Sequence, residues 1–433
     1  MFFTQVGISQ IETDTSKKVW TLKDCITYAL GNNITIKDAA LNKAQAIVNH
    51  GEAKSARLPN LFGSASQTFT NGNSVDPITS DYVTEQIYST NVGLNSSFTI
   101  FQGNQINNQI EQNELLLNQS MFLEEETKNN ITLSILENYL QILHAKEGIA
   151  IAQNNLTSTQ KEVERAKARL DAGTIALSDY TEALSQAATN EYTLINAKNT
   201  YQQYIINLKQ LLELGPTQDI EIAPLDEQTD YSEILLNKIE IYQKALGTLP
   251  EVNASKIGVE VSEKDLDIAK GGYLPSLELT TSIGSGYTSI NDNTFSEQFD
   301  VNFNQRIGLS LNIPIFNRNQ TKAAVQTAQI NIEKAKINQQ TTEKEIYKKI
   351  ETAYQNAISS QEQMVAAKAS MEAAEQSYKL AQKRYELGDL NTTDLVISQN
   401  TYTNAQQNYL QAKYLNILYH KLLDFYQGNS IEL

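Results

Sequence analysis

The sequence predicts a mainly α-helical chain in which one structural unit, built from long helices and a few strands, occurs twice. Residue types recur at a fixed offset, and within each copy the hydrophobic period switches between a helical and a strand value. With an offset of 215, residues 169–173 fall on residues 384–388, and Asp179 falls on Asp394. Because this offset far exceeds the 20–50-residue period of solenoid repeats, we interpret the chain as one unit copied once.

The long helices are predicted by apolar residues that recur in alternating steps of four and three. In the second copy this pattern runs without a break from Ile346 to Tyr385, and shifted by 215 it runs from Ile131 to Leu170. An average period of 3.5 residues is typical of a coiled-coil seam. At 1.5 Å per residue, about 70 helical residues extend for roughly 100 Å.

Each long helix is predicted to end at a glycine, Gly173 or Gly388, since glycine readily takes the left-handed conformation of a helix C-cap. A helical pattern resumes at residues 178–179 and 393–394, which we expect to be N-caps with an acid in the first turn. Each copy should therefore be a helical hairpin with a glycine at its tip.

Four segments change to a period of two, which is typical of half-buried strands. Apolar and polar residues alternate clearly in residues 91–100, 277–287 and 306–313 and more weakly in residues 61–69. Strands of about ten residues match the thickness of a bilayer. Each copy should contribute one β-hairpin, with polar loops near residues 71–85 and 290–297.

Four strands cannot close a barrel, and an open sheet edge has no hydrogen-bond partners in lipid. The smallest membrane barrels need about eight strands. The chain must therefore oligomerise if these strands lie in a membrane. Three chains would supply the strands of a 12-stranded transmembrane β-barrel and the helical hairpins of a trimeric α-barrel. Leu309 and Leu311 should face lipid, and Ser310 and Asn312 should face the lumen.

The expected domain boundaries follow from these patterns. The first repeat spans residues 19–214, with a β-hairpin at about 60–101 and a helical hairpin at about 103–214. The second repeat spans residues 231–427, with a β-hairpin at about 276–315 and a helical hairpin at about 317–427. A leader or signal-peptide remnant at 1–18 precedes the repeats, a linker at 215–230 joins them, and a tail at 428–433 follows. The leader lacks a basic segment and has a short apolar stretch, so a signal-peptide remnant and a disordered leader both stay open.

Composition excludes several classes of protein. The 433 residues include 50 acidic and 34 basic side chains, for a net charge of −16, whereas a nucleic-acid-binding surface needs excess Lys and Arg. A single cysteine, Cys25, excludes a disulfide framework and a cysteine-based zinc site, and we expect it to be a small buried helix residue. No run of about 18 apolar residues occurs, which excludes a bundle of transmembrane helices.

The search for catalytic motifs finds no metalloprotease, P-loop, dinucleotide-binding or nucleophile-elbow signature. His50, His144 and His420 are scattered without the spacing of metal ligands. We therefore predict no enzyme activity, no cofactor and no metal.

The ordered set of motifs resembles the TolC-like outer-membrane efflux proteins, over about residues 19–427. The opening segment 20–33 also contains a predicted capping box from Thr21 to Asp24. The other motifs are the Leu-Pro pairs at 58–59 and 274–275, Ile-Phe-Gln-Gly at 100–103, Pro-Ile-Phe-Asn at 314–317, and the two Gly-tipped hairpins.

This resemblance implies a homotrimeric channel in the outer membrane of a Gram-negative bacterium. It would serve a tripartite efflux or type I secretion system as a passive conduit gated at its periplasmic helical tips. A periplasmic adaptor and an inner-membrane pump would dock at those tips, and the barrel would contact outer-membrane lipid. The alternative is a periplasmic coiled-coil adaptor or scaffold without its own pore, although adaptors carry a single helical hairpin.

The resemblance also implies a gate. Asp179 and Asp394 would place six acids around one aperture in a trimer, although support of a helix N-terminus explains either acid alone. Tyr385 and Asp179 match positions through which family members link neighbouring hairpin tips. Two positions depart from the family pattern, because Ile397 replaces a second acid and Leu390 replaces a linking basic residue.

As a group, aromatic residues near the strands should form girdles at the two membrane interfaces, although ordinary packing explains some of them. They are Phe69, Tyr82, Tyr88, Phe98, Phe101, Tyr287, Phe295, Phe299, Phe303 and Phe316.

Overall fold

The structure is a computed structural model, and it describes residues 19–75, 82–225 and 237–431. The predicted leader at 1–18 lies outside the described residues. So do residues 76–81 of the first predicted loop, residues 226–236 at the end of the predicted linker and the start of the second repeat, and residues 432–433 of the tail.

The elements of the two copies follow the same order, except that α7 of the second copy has no counterpart among the described residues of the first. The first copy contains β1 (Val19–Trp20), α1 (Leu22–Asn32), α2 (Ile34–Ser55), β2 (Phe62–Val75), β3 (Tyr82–Gln102), α3 (Gln105–Asp171) and α4 (Leu177–Leu211). The second contains β4 (Glu221–Ile222), α5 (Lys238–Thr248), α6 (Pro250–Gly271), β5 (Ser276–Thr288), α7 (Phe295–Val301), β6 (Asn304–Asn312), α8 (Gln320–Leu387) and α9 (Thr392–Tyr426). Corresponding helices begin 215 or 216 residues apart, so the predicted duplication is confirmed.

The two long helices have nearly equal lengths, 67 residues in α3 and 68 in α8. The predicted seam is buried along much of both, for example at Ile135 and Ile142 in α3 and at Ile346 and Ala357 in α8. Alanine in the seam lets the neighbouring helices approach closely, and this packing stabilises helices whose own sequence is strongly polar.

The returning helices begin earlier than the sequence predicts. Their N-caps are Ala176 and Asn391, so the expected N-caps at residues 178–179 and 393–394 are wrong. Asp179 and Asp394 lie three residues after the caps, where a carboxylate accepts the cap's N–H or accompanies a capping side chain. An acid three residues inside a helix and an acid at the cap give the same local composition, which explains the error.

The four long strands form one antiparallel sheet in the order β2-β3-β5-β6. The first polar loop is shorter than the expected 71–85, because β2 continues to Val75 and β3 begins at Tyr82. The second expected loop, 290–297, contains the start of α7, which the sequence analysis missed. A β-bulge lies between Thr99 and Phe101.

The chain divides into two compact units. The helical unit comprises the described residues of 1–40, 124–252 and 343–433, and its main core contains Trp20, Leu136 and Leu208. Cys25 is fully buried in this core, as predicted. The strand unit comprises the described residues of 41–123 and 253–342 and contains the sheet. In the described ranges, no helix is both long and apolar enough to cross a membrane.

Candidate functional site

The sheet has one apolar face and one polar face. Successive residues of a strand point to opposite faces, so the register assigns each side chain to a face. On the apolar face, Leu309 of β6 pairs with Leu279 of β5, which pairs with Phe98 of β3. On the polar face, one residue further along each strand, Ser310 pairs with Glu278, which pairs with Thr99.

The same division continues across the sheet. The apolar face carries Ala65, Val92, Leu94, Ile283, Ile307 and Leu311, and the polar face carries Ser64, Asn91, Asn95, Ser282, Thr280 and Asn312. Leu309 and Leu311 remain 65% and 60% exposed. A sheet that exposes an apolar face of this size in one chain needs a further apolar environment to cover it.

Aromatic rings pair within the strands and within the loop between β5 and β6. The centroids of Phe69 and Tyr88 are 5.0 Å apart on neighbouring strands, and those of Phe295 and Phe299 are 4.7 Å apart. Tyr82 is 82% exposed. The predicted girdles stay a prediction.

The loop between β5 and β6 is folded around Gln298. This side chain is only 1% exposed; its Nε2 donates to the backbone oxygens of Asn291 and Asn293, and its Oε1 accepts the N–H of Thr288. A capping box between Thr294 and Glu297 starts α7. The loop therefore has a defined structure of its own.

The two helical tips lie in the helical unit, and both end as their glycines predict. Gly173 and Gly388 have φ angles of 70° and 86°. The residue after each glycine donates its N–H back into the helix, Thr174 to Arg169 O at 2.9 Å and Asp389 to Arg384 O at 2.8 Å. The predicted left-handed C-cap is therefore confirmed at both tips.

Within the described chain, both candidate gate acids support helix N-termini. Asp179 Oδ2 accepts the N–H of Ala176 at 3.2 Å, and Ala176 has no side-chain acceptor with which to reciprocate. Asp394 donates its N–H to Asn391 Oδ1 at 2.7 Å, and its Oδ2 accepts from Asn391 Nδ2 at 3.0 Å. Asp394 is exposed and Asp179 is half-buried, so the carboxylate of Asp394 is the more accessible.

Tyr385 lies inside its own hairpin. It is 3% exposed and packs against Leu395, and its hydroxyl lies 3.5 Å from Thr392 Oγ1. The guanidinium of Arg169 lies 5.4 Å from the centre of the ring and donates to the backbone oxygen of Tyr385 at 3.3 Å. Within the described part of one chain, the hydroxyl of Tyr385 thus meets Thr392 rather than Asp179.

Polar contacts tie the first hairpin to the second near the tips. Arg165 forms a 2.9 Å ion pair with Glu386, and Thr393 Oγ1 donates to Glu182 Oε2 at 2.9 Å. These contacts join α3 to α8 and α4 to α9.

A buried polar network behind the tips was missed by the sequence analysis. Glu162 is 5% exposed, and its Oε1 accepts from Tyr378 Oη and from Ser158 Oγ, both at 3.3 Å. Burial raises the pKa of Glu162, and these hydrogen bonds and Arg165 oppose the rise. Because Glu162 precedes the predicted seam residue Val163 by one position, the seam pattern gives no sign that it is buried.

A second network adjoins the first. Thr159 Oγ1 accepts from Asn190 Nδ2 at 2.6 Å and from Gln399 Nε2 at 3.2 Å. At the duplicate positions of Thr159 and Asn190 the second copy has alanines, Ala374 and Ala405. The buried polar groups therefore distinguish the two hairpins. Among the described residues, no group of His, Cys, Asp and Glu could hold a metal ion.

Comparison with known proteins agrees with this architecture. A family model described as outer membrane efflux protein matches residues 25–213 and 241–416. The outer membrane efflux protein BepC of Brucella suis biovar 1 (strain 1330) is 23% identical over 412 residues, covering 91% of this chain and 82% of BepC. The outer membrane protein TolC of Escherichia coli (strain K12) is 21% identical over 421 residues, covering 94% of this chain and 82% of TolC.

Solved structures show the same fold. The Campylobacter jejuni CmeC outer membrane channel superimposes with a TM-score of 0.78 at 20% identity, covering 95% of this chain and 86% of CmeC. The family match spans both copies, and it supports the channel interpretation rather than the adaptor alternative. The chain therefore belongs to the outer membrane efflux protein family, and it is an outer-membrane channel of the kind that serves efflux and secretion systems.

Proposed function

We propose that this channel works as a homotrimer, in which three copies of the sheet close a 12-stranded transmembrane barrel and the helical hairpins continue it as a tube. The two-faced sheet is the observation that carries the proposal. Its apolar face would contact lipid and its polar face would line the lumen, as Leu309 and Ser310 illustrate on neighbouring positions of β6.

The sheet edges support closure by identical copies. Within the described residues, β2 and β6 each pair on one side only. An unpaired edge is strongly unfavourable in lipid. Because four antiparallel strands leave β2 and β6 running in opposite directions, β6 of one chain can continue the antiparallel order with β2 of the next. This is a head-to-tail contact, which closes into a ring under rotational symmetry.

Assembly is tested by extraction and mass. The protein should leave outer membranes only with detergent, as a trimer of about 145 kDa, three times the 48.4 kDa of one chain. Recovery from buffer as a soluble monomer would overturn the barrel.

We further propose that Asp179 and Asp394 line the periplasmic aperture. Six carboxylates around a narrow opening would concentrate cations and repel anions. The exposure of Asp394 supports this role, and its capping contacts use the backbone N–H and one carboxylate oxygen.

Tyr385 is proposed to strengthen the closed state through a contact with Asp179 of a neighbouring hairpin. Tyr385→Phe should then raise single-channel conductance in planar bilayers. Thr392→Val is the matched control, because it removes the hydroxyl that Tyr385 meets within its own chain. Equal effects of the two variants would assign the contribution of Tyr385 to the Thr392 contact instead.

The partners are proposed to be a periplasmic adaptor and an inner-membrane pump that dock at the helical tips, and the channel itself is proposed to be a passive conduit. Since Cys25 is fully buried, a Thr174→Cys variant carries one reactive thiol at a tip. It should form cross-links to periplasmic partners in cells. Thr200 is exposed on α4 away from the tip, and a Thr200→Cys variant should not form these cross-links. Equal cross-linking at both positions would argue against docking at the tips.

A further inference from the structure

The loop between β5 and β6 points to a lipid-binding groove. We propose that α7 and the apolar face of the sheet hold one acyl chain of an outer-leaflet lipid in each protomer. The proposal rests on the proposed function, in which that face of the sheet contacts the membrane. The loop lies at the end of the sheet opposite the junctions with α3 and α8.

Helix α7 packs over the apolar face. Tyr287 and Ser285 both belong to this face, because they share it with Ile283 by the alternation of β5. The ring centroid of Phe295 lies 5.4 Å from that of Tyr287, and Ser285 Oγ donates to the backbone oxygen of Phe299 at 2.5 Å. Helix α7 therefore covers part of the apolar face, which is the face proposed to contact lipid.

An open cavity of about 580 Å³ lies between α7 and the sheet. This volume falls within the range of about 300–1,000 Å³ that is typical of small-molecule pockets. The cavity is lined by Gly63, Ala65, Leu94, Ile283, Phe299 and Phe303.

Small residues create the depression. A Cβ at Gly63 would lie 3.5 Å from Leu94 Cδ2, so any larger side chain there would project into the groove. Gly63 and Ala65, both on the apolar face of β2, form the floor of the groove. Because their side chains are smaller than those of Leu94 and Ile283 on the neighbouring strands, the surface is recessed there.

The groove is preformed, because α7 is fastened on both sides. Gln298 anchors the helix to Thr288, Asn291 and Asn293, as described above, and Asn302 Nδ2 donates to the backbone oxygen of Gly286 at 2.7 Å. A ligand entering a rigid groove does not have to order it, which favours binding.

The surroundings favour an acyl chain. The groove is continuous with the exposed apolar face of an outer-membrane protein, and its aromatic margin at Phe295 and Phe303 is 53% and 55% exposed. Glu297 and Asp300 are exposed on α7 and would lie near polar headgroups. The lining also includes Ser64 and Ser285, whose hydroxyls are already hydrogen-bonded: Ser64 Oγ accepts from Asn95 Nδ2, and Ser285 Oγ donates to the backbone oxygen of Phe299. A hydrocarbon chain can therefore cover this floor without leaving a polar group unsatisfied.

Fluorescence quenching tests the site. A Phe299→Trp variant is reconstituted as a trimer into vesicles of dioleoylphosphatidylcholine whose acyl chains are brominated at the double bond. We expect its added fluorescence to be quenched at least twofold more than that of Ser310→Trp on the polar face. Trp20, the native tryptophan, is buried in the helical unit and contributes the same background to both.

Groove filling separates a bound chain from bulk lipid. Adding Ala65→Phe to Phe299→Trp should reduce the quenching by half or more. Leu309→Phe, on the same face outside the groove, should leave it unchanged. Equal quenching with and without Ala65→Phe would mean that the indole meets only bulk acyl chains, and it would overturn the groove.

Native mass spectrometry of the wild-type trimer gives a second measure that needs no variant to fold. After exchange into detergent, the trimer should retain up to three dioleoylphosphatidylcholine molecules, and retention of none would overturn the proposal. Trimer mass and conductance are recorded on the same preparations. A conducting trimer without retained lipid would refute the groove alone, whereas a soluble monomer would refute the proposed function.

Discussion

At the residue scale, the two junctions between the sheet and the long helices share one backbone geometry. Gly103 and Asn104 have φ angles of 56° and 61°, and Arg318 and Asn319, 215 residues later, have φ angles of 54° and 63°. Arg318 shows that a side chain can occupy the left-handed conformation there. The requirement for glycine at 103 must therefore come from its neighbour, Gly271, whose backbone oxygen would lie 2.2 Å from an added Cβ.

We therefore predict that Gly103→Ala weakens the protein much more than Arg318→Ala. The clash and the left-handed conformation together should cost about 2–4 kcal/mol. Exposed Arg318 should tolerate alanine within about 0.5 kcal/mol. The measurement is the temperature at which the detergent-solubilised assembly dissociates, and similar losses for both variants would show that the approach of Gly271 does not decide the residue.

Buried Glu162 predicts a pH dependence of stability. Below the ordinary carboxyl range, both the folded and the unfolded chain carry a protonated Glu162. Burial raises the pKa of Glu162 in the folded state, so the protonated side chain favours the folded state over the unfolded one. This contribution to the free energy of unfolding is lost as the pH rises through the folded-state pKa, because the fold must then hold a buried carboxylate. Ser158, Tyr378 and Gln382 surround the group, and Arg165 partly opposes the shift.

Glu162→Gln should therefore flatten the decrease in melting temperature that the wild-type protein shows as the pH rises above the ordinary carboxyl range. The amide keeps the shape of the side chain and one oxygen acceptor for Tyr378. Glu164→Gln, on the exposed side of the same helix, is the matched control and should leave the decrease unchanged. If both variants follow the wild-type profile, Glu162 does not change protonation in this range.

At the scale of elements, the sheet separates two environments within one strand. Leu309 and Ser310 are neighbours in β6 but belong to opposite faces. An arginine on the lipid-facing side near the membrane midplane costs about 2–4 kcal/mol, whereas an arginine in a polar lumen costs far less.

Leu309→Arg should therefore reduce the yield of assembled protein in the outer membrane, and Ser310→Arg should have little effect. The yield is measured as detergent-extracted trimer relative to total chain. Equal defects from the two substitutions would mean that the faces are assigned wrongly.

The long helices illustrate how duplicated elements diverge. Both copies keep the buried seam, but the first copy places Glu162 and Thr159 in a polar network where the second has Ser377 and Ala374. Buried polar groups must be hydrogen-bonded to be tolerated, and here the partners Tyr378 and Gln399 come from the second copy. The network thus defines how the two hairpins pair.

At the scale of the whole molecule, the proposed aperture at the tips would set the ion selectivity of the assembled channel. The proposed aperture acids also stabilise α4 and α9, so an alanine substitution would mix two effects. Asparagine removes the charge and retains an acceptor for the helix N-terminus.

The double variant Asp179→Asn/Asp394→Asn should therefore reduce cation preference at least twofold in planar bilayers, with the larger change at low salt, where screening is weakest. The reversal potential in a salt gradient measures this. Asp219→Asn/Glu221→Gln removes two exposed charges away from the tips and should not change it. If the tip variant retains wild-type selectivity, the acids are helix caps only.

The sequence by itself determined the features that depend on neighbours along the chain. The 215-residue offset, the 3.5-residue seam, the alternation of β6 and the left-handed Gly173 and Gly388 all follow from local periodicity and backbone sterics. The Thr294-to-Glu297 capping box that begins α7 was also a local signal, but α7 has only seven residues and lies in a segment rich in turn residues.

Only the tertiary structure decided which side chains meet across elements. Tyr385 has the predicted seam position, yet its hydroxyl contacts Thr392 because the returning helix begins earlier than expected. Glu162 lies beside the seam, and it is buried only because α8 supplies Tyr378 above it. Likewise, the groove beneath α7 exists because the register brings Gly63 and Ala65 alongside larger residues of other strands. Such contacts join residues far apart in the chain, so their physical cause is packing between elements, which no local period encodes.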